Sequence, residues 1–105
     1  MPEPVLDVAP AHAAIGREIL SKQAAGSTVW AFGSRTRGSA KPYSDLDLAI
    51  ITEQPMNSAQ FAALADAFEE SELPWRVDIV DWAVTDGAFR HIIERDKIVV
   101  QQGTT

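Results

Sequence analysis

Apolar residues recur at helical spacing from Pro10 to Ala25, at Ala11, Ala14, Ile15, Ile19 and Leu20, which predicts an amphipathic helix. Pro10 suits its first turn and Gly26 its stop. The run Thr28–Phe32 (TVWAF) reads as a short strand, because β-branched and aromatic residues fit a pleated, half-buried surface. Leu46–Thr52 (LDLAIIT) is the strongest strand signal and follows a Pro-Tyr-Ser-Asp turn. Asn57-Ser58 can cap a helix over Ala59–Glu72, with Phe61, Leu64, Ala65 and Phe68 on one face. Leu73-Pro74 ends it, and Arg76–Trp82 (RVDIVDW) reads as a third strand. Asp86 can cap a last helix through Glu94, and Lys97–Gln101 forms a short final strand. Residues 1–9, with two prolines and no periodicity, read as a loose N-terminal arm.

The second and third strands are joined through a helix, so a right-handed parallel crossover is expected between them. Only a polar loop joins the first two strands, which can therefore pair antiparallel. The expected architecture is α/β (α+β): a small mixed sheet of three to four strands with helices packed against it. At 105 residues the chain is one domain, large enough for a single core.

Composition narrows the function. There are no cysteines, so disulfides and thiolate metal sites are excluded. No basic segment followed by an apolar run marks a secretory signal, and no apolar stretch approaches a membrane span. A soluble cytoplasmic protein is the default expectation. Fifteen acids outnumber nine bases, for a net charge of −6. That balance argues against tight binding of long nucleic acid, which relies on basic patches, and suits cations or a basic protein partner.

Asp45 and Asp47 stand two apart at the head of the strongest strand, so both point to one face. Two carboxylates ~5 Å apart repel by roughly 3 kcal/mol at an effective dielectric near 20. A divalent cation between them reverses the sign of that energy. Asp78 interrupts the apolar run Val77–Val80, a rare place for a charge unless it is paired or metal-bound. If the third strand neighbours the second, Asp78 completes a three-carboxylate cage for two Mg²⁺ ions, with Mn²⁺ able to substitute. Gly33-Ser34 follows the first strand. The glycine admits a phosphate close to the backbone, the hydroxyl of Ser34 adds a donor, and Arg35 and Arg37 add charge-assisted donors. Asp81, at an odd offset from Asp78, turns to the opposite face and reads as a turn or edge residue. Ser44 reads as a turn-shaping hydroxyl. His12 and His91 read as helix-surface residues, and Trp30 as core. Trp75 and Trp82 fit either core or a partner surface.

Gly33-Ser34, ten residues, then Asp45-Leu46-Asp47 is similar to the signature of the DNA-polymerase-β-like nucleotidyltransferase superfamily. The longer string GSRTRGSAKPYSDLDLAI resembles its minimal nucleotidyltransferase (MNT) branch. The resemblance covers roughly residues 28–100 and is strongest at 33–51. It implies the nucleotidyltransferase fold, triphosphate binding at Gly33 and Ser34, metal binding at Asp45 and Asp47, and a third metal carboxylate at Asp78. In place of the Glu-Gly turn that often follows the last helix of such domains, this chain reads Glu94-Arg95-Asp96-Lys97. The resemblance implies transfer of AMP from ATP. The chain shows no appended domain for a second substrate, so the acceptor site is expected to be shared with another molecule. For stand-alone MNT proteins that molecule is commonly a helical HEPN-family toxin, modified on tyrosine, with the MNT protein as its antitoxin. Two other readings stay open: a non-catalytic nucleotide-binding antitoxin that neutralises by complex formation, and an aminoglycoside-type small-molecule adenylyltransferase.

Overall fold

The computed structural model describes residues 6–103. Helix α1 spans Pro10–Gln23, β1 Thr28–Phe32, a single helical turn α2 Ser34–Arg37, β2 Leu46–Ile51, α3 Ser58–Glu69, β3 Val77–Asp81, α4 Gly87–Asp96 and β4 Ile98–Gln101. A 3₁₀ turn, Trp82–Val84, joins β3 to α4. The caps read from sequence are made. Asn57 Oδ1 accepts from the Ala59 and Gln60 amides, and Asp86 Oδ1 accepts from the Phe89 amide.

The four strands lie in the order β3-β2-β1-β4. β1 pairs antiparallel with β2 and β4, and β2 pairs parallel with β3. The sheet is therefore mixed, as expected. Side-chain alternation divides its two faces. Val29, Ala31, Leu46, Leu48 and Ile50 pack with Leu20 of α1, with Ala24 just after it, and with Leu64 and Phe68 of α3. On the other face Phe32 and Ala49 pack with Ile93 of α4, flanked by Trp30, Val80, Trp82 and Phe89.

Several sequence expectations are corrected. β3 is an edge strand, not a buried one, and the Asp78 side chain is 49% exposed. Val77 and Ile79 pack against the α1–α3 core on one face, and Val80 against the Phe32–Ala49–Ile93 cluster on the other. Of the arm expected over residues 1–9, residues 1–5 lie outside the described residues, and 6–9 are held rather than loose. Leu6 and Val8 pack against the core, and the Asp7 amide donates to the Arg35 carbonyl at 2.8 Å. Asp81 faces away from Asp78 and caps the turn after β3, as expected, but it is buried and makes no salt bridge among the described residues. Its carboxylate accepts from Thr52 Oγ1, from the Met56 amide at 2.7 Å and from the Ala83 amide at 3.3 Å. It ties the far ends of β2 and β3 together.

Candidate nucleotidyltransferase site

The pairing registers set the site. Phe32 stands opposite Asp47, and Asp47 opposite Asp78. One row across three strands thus ends the sheet on the α4 face, with Gly33 next after Phe32. Gly33 adopts φ 84°, ψ −156°, a region essentially confined to glycine. A Cβ there would fall on the carboxylate of Asp47. The glycine is therefore required by its conformation and by the acid packed against it. Asp45 sits one residue before β2, where the Leu46 amide donates to the Arg76 carbonyl at 2.9 Å. An open cleft of about 520 Å³ is lined by Phe32, Gly33, Arg37, Asp47, Asp78 and Asp96, among others.

The carboxylates of this site repel one another. The carboxyl of Asp47 is pushed up to about 6, first by burial and then by the charges of Asp78 and Asp45. Arg76, a residue that sequence reasoning passed over, lies between the outer pair. Its Nε is 3.8 Å from Asp45 Oδ2 and 3.7 Å from Asp78 Oδ1. Among the described residues no three His, Cys, Asp or Glu side chains converge tightly enough to hold one metal ion. Asp45, Asp47 and Asp78 thus stand in an open arc, with the Arg76 guanidinium between the outer pair.

The two arginines of the Ser34–Arg37 turn part company. Arg37 lines the cleft and is half exposed, 3.6 Å from Asp96. Arg35, expected to meet phosphate, is 5% exposed and turned away. Its Nε and Nη2 donate to the Ser44 carbonyl at 3.0 and 2.7 Å, and Nη1 donates to the Asp7 carbonyl at 2.8 Å. The Trp75 ring lies 4.4 Å below the guanidinium. Arg35 is thus a brace for the loop before Asp45, with its donors spent on carbonyls. Ser44 shapes that loop as expected, its hydroxyl accepting from the Lys41 amide at 2.8 Å. Arg35→Lys should therefore lower stability by about 1–3 kcal/mol, since a lysine cannot satisfy the forked set of carbonyls. Arg37→Lys should stay within ~0.5 kcal/mol of the parent, as exposed substitutions do. Thermal unfolding of the two variants side by side checks the assignment, and equal melting temperatures would reject it.

The profile of the polymerase β nucleotidyltransferase family matches residues 17–104. The chain belongs to this family. It is 50% identical over 97 residues to the probable protein adenylyltransferase MntA of Haemophilus influenzae, covering 92% of this chain and 85% of that protein. The fold is shared with a toxin–antitoxin crystal structure containing AMP-PNP, at TM-score 0.72 and 20% identity, over 88% of this chain and 73% of that one. It is also shared with a complex of a tri-AMPylated Shewanella oneidensis HEPN toxin with MNT antitoxin, at TM-score 0.61 and 17% identity, over 88% of this chain and 73% of that one.

Within this nucleotidyltransferase fold the tryptophans and His12 pack against neighbouring rings. Trp30 packs edge-on against Trp82 at 5.2 Å, with Lys97 Nζ 4.2 Å from the Trp30 ring. His12 packs edge-on against Trp75 at 5.9 Å, and His91 is exposed. Asp96 was not read from sequence as a site residue. The signal was the Glu94–Lys97 segment that departs from the family's usual turn. Helix α4 continues through Asp96, and Lys97 leaves it at φ −59°, so no left-handed glycine is needed there. No helix among the described residues is long and apolar enough to cross a membrane.

Proposed function

We propose that this protein transfers AMP from ATP to a tyrosine hydroxyl of a HEPN-family partner, as the antitoxin of a toxin–antitoxin pair, with Asp45, Asp47 and Asp78 holding two Mg²⁺ ions. The observation that carries the reading is the row Phe32–Asp47–Asp78 with Gly33 packed on Asp47. It puts the Gly33 backbone beside a cluster of repelling carboxylates at the wall of an open cleft. The acceptor class is supported by the 50% identical relative, itself named a protein adenylyltransferase.

The donor set suits magnesium. Its ligands are hard oxygens, Asp47 is uncomfortable as an anion without a counter-charge, and a guanidinium stands in for positive charge between Asp45 and Asp78. Bound there, Mg²⁺ would supply Lewis-acid polarisation of the phosphates and an acidified acceptor hydroxyl. The chain's own residues do the rest. Gly33 lets the phosphates reach the backbone, and the Ser34 hydroxyl donates to a terminal phosphate oxygen. Arg37 neutralises charge that builds on the leaving pyrophosphate. The acceptor hydroxyl gives up its proton to solvent in the open cleft, its oxygen bonds to the α-phosphorus, and the bond to pyrophosphate breaks. The open cleft leaves that phosphorus accessible to a partner's side chain, which must reach about 3–3.5 Å for in-line attack. With a net charge of −6, a basic partner surface would dock favourably.

The test is α-labelled ATP with Mg²⁺. Little label should enter protein with this chain alone. Label should enter a co-encoded helical partner when it is added, with one or more AMP groups on tyrosine by mass spectrometry. Asp45→Ala should abolish it. Efficient transfer to an aminoglycoside or an RNA 3′ end instead would reject the acceptor and leave the family's chemistry intact. Neutralisation that survives Asp45→Ala would instead favour a binding-only antitoxin.

A further inference from the structure

The cleft holds a carboxylate that the reaction above does not use. Asp96 ends α4, its side chain is 5% exposed, and it lines the same cleft as Asp47 and Asp78. A helix C-terminus carries partial negative charge, so a carboxylate there is opposed by the dipole as well as by desolvation. Its side-chain partners among the described residues are two guanidiniums. Arg95 Nε approaches Oδ1 at 3.0 Å from the exposed side. Arg37 Nε approaches Oδ2 at 3.6 Å from the cleft. The contact is through Nε, and among the described residues no hydrogen bond engages the terminal nitrogens of Arg37. Arg37 itself is half exposed, on the last residue of a one-turn helix, and an arginine so placed has many rotamers to lose on binding.

We infer that Asp96 is a positioning residue. It holds Arg37 over the cleft so that the free end of the guanidinium meets the β- and γ-phosphates of the nucleotide, and so sets the preference for triphosphate over monophosphate. The inference rests on the nucleotide-binding part of the proposed function. A carboxylate in a cleft for polyanions would otherwise repel the substrate. Paired with Arg37 it orients a cation and contributes no free negative charge.

Binding of AMP-PNP and of AMP to the full chain with Mg²⁺, measured by calorimetry, tests it in a double-mutant cycle. Asp96→Asn keeps the shape and removes the charge. It should weaken AMP-PNP by about tenfold, the scale of a charge-assisted contact made less well, and leave AMP within about twofold. Arg37→Ala should weaken AMP-PNP at least as much. The double variant should bind like Arg37→Ala alone, since Asp96 acts through Arg37. Asp96→Glu, which retains the charge, should recover most of the discrimination, and Asp96→Ser, which also removes the charge, serves in place of Asp96→Asn if that variant unfolds. A merely structural Asp96 predicts equal losses for AMP-PNP and AMP, or additive losses in the double variant, and either result overturns the inference. Because the readout is binding, failure of the unmodified chain to transfer AMP would count against the proposed reaction and leave the cycle interpretable.

Discussion

Gly33→Val should be among the most damaging single substitutions in this protein. The glycine's φ of 84° and ψ of −156° cost a side-chain-bearing residue of order 1–3 kcal/mol. The new Cβ must also displace the Asp47 carboxylate, which occupies its place. Together these should lower stability by about 3–5 kcal/mol, a range associated with strain and overpacking. The two causes separate in a cycle. In an Asp47→Ala background the collision is relieved and only the backbone cost remains, so Gly33→Ala should cost about 1–3 kcal/mol less there than in the parent. Chemical denaturation of the four proteins measures it. Strictly additive values would mean that Gly33 and Asp47 do not share the space.

Asp47→Asn should have opposite effects on stability and on function. With its carboxyl raised from 3.8 to about 6 in the folded chain, Asp47 binds a proton more tightly when folded than when unfolded. Its cost is absent below pH ~4, grows as pH rises, and is fully present above the folded value. The whole shift corresponds to ~3 kcal/mol, which solvent screening at this half-exposed group reduces to about 1–2 kcal/mol. Metal-free Asp47→Asn should therefore melt roughly 5–10 °C above the parent at pH 7.5, on the usual scale for a domain of this size. The two should converge near pH 4. The same variant should lose nucleotidyl transfer, on the reading that Asp47 holds the metals. A parent whose metal-free melting temperature is level between pH 4.5 and 7.5 would sink the electrostatic argument.

Much of the site could be read from the chain, and the failures have physical causes. Gly33, Asp45 and Asp47 stand out because a left-handed glycine and an alternating acid pair are local features. The strand Thr28–Phe32 came out with its true bounds, since a β-branched and aromatic run flanked by glycines is also local. Arg35 and Arg37 are indistinguishable in sequence. Which one braces the Pro42–Ser44 loop and which faces the cleft depends on Trp75 and Asp7, distant in the chain. The exposure of Asp78 depends on strand order, and nothing in Val77–Val80 records that β3 is an edge. Arg76 and Asp96 escaped because each looks like an ordinary charge at an element's boundary. Only the tertiary structure brings Arg76 between Asp45 and Asp78 and sets Asp96 against Arg37 in the cleft.

The antiparallel pairing of β1 with β2 bears on the order in which the site assembles. Gly33 and Asp47 lie on one hairpin and meet through nearby sequence, and hairpins close in about 1–10 μs. Asp78 arrives on a strand that must cross over through α3 before it can pair, and such non-local contacts form late. The phosphate-facing half of the site is therefore expected to form before the third carboxylate docks on its edge strand, an order that φ-values at Val29 and Ile79 would test. Edge strands also open most readily in the native state. Amides of β3 should accordingly exchange with solvent faster than those of β1 and β2, with Asp78 joining and leaving the site as that strand closes and frays.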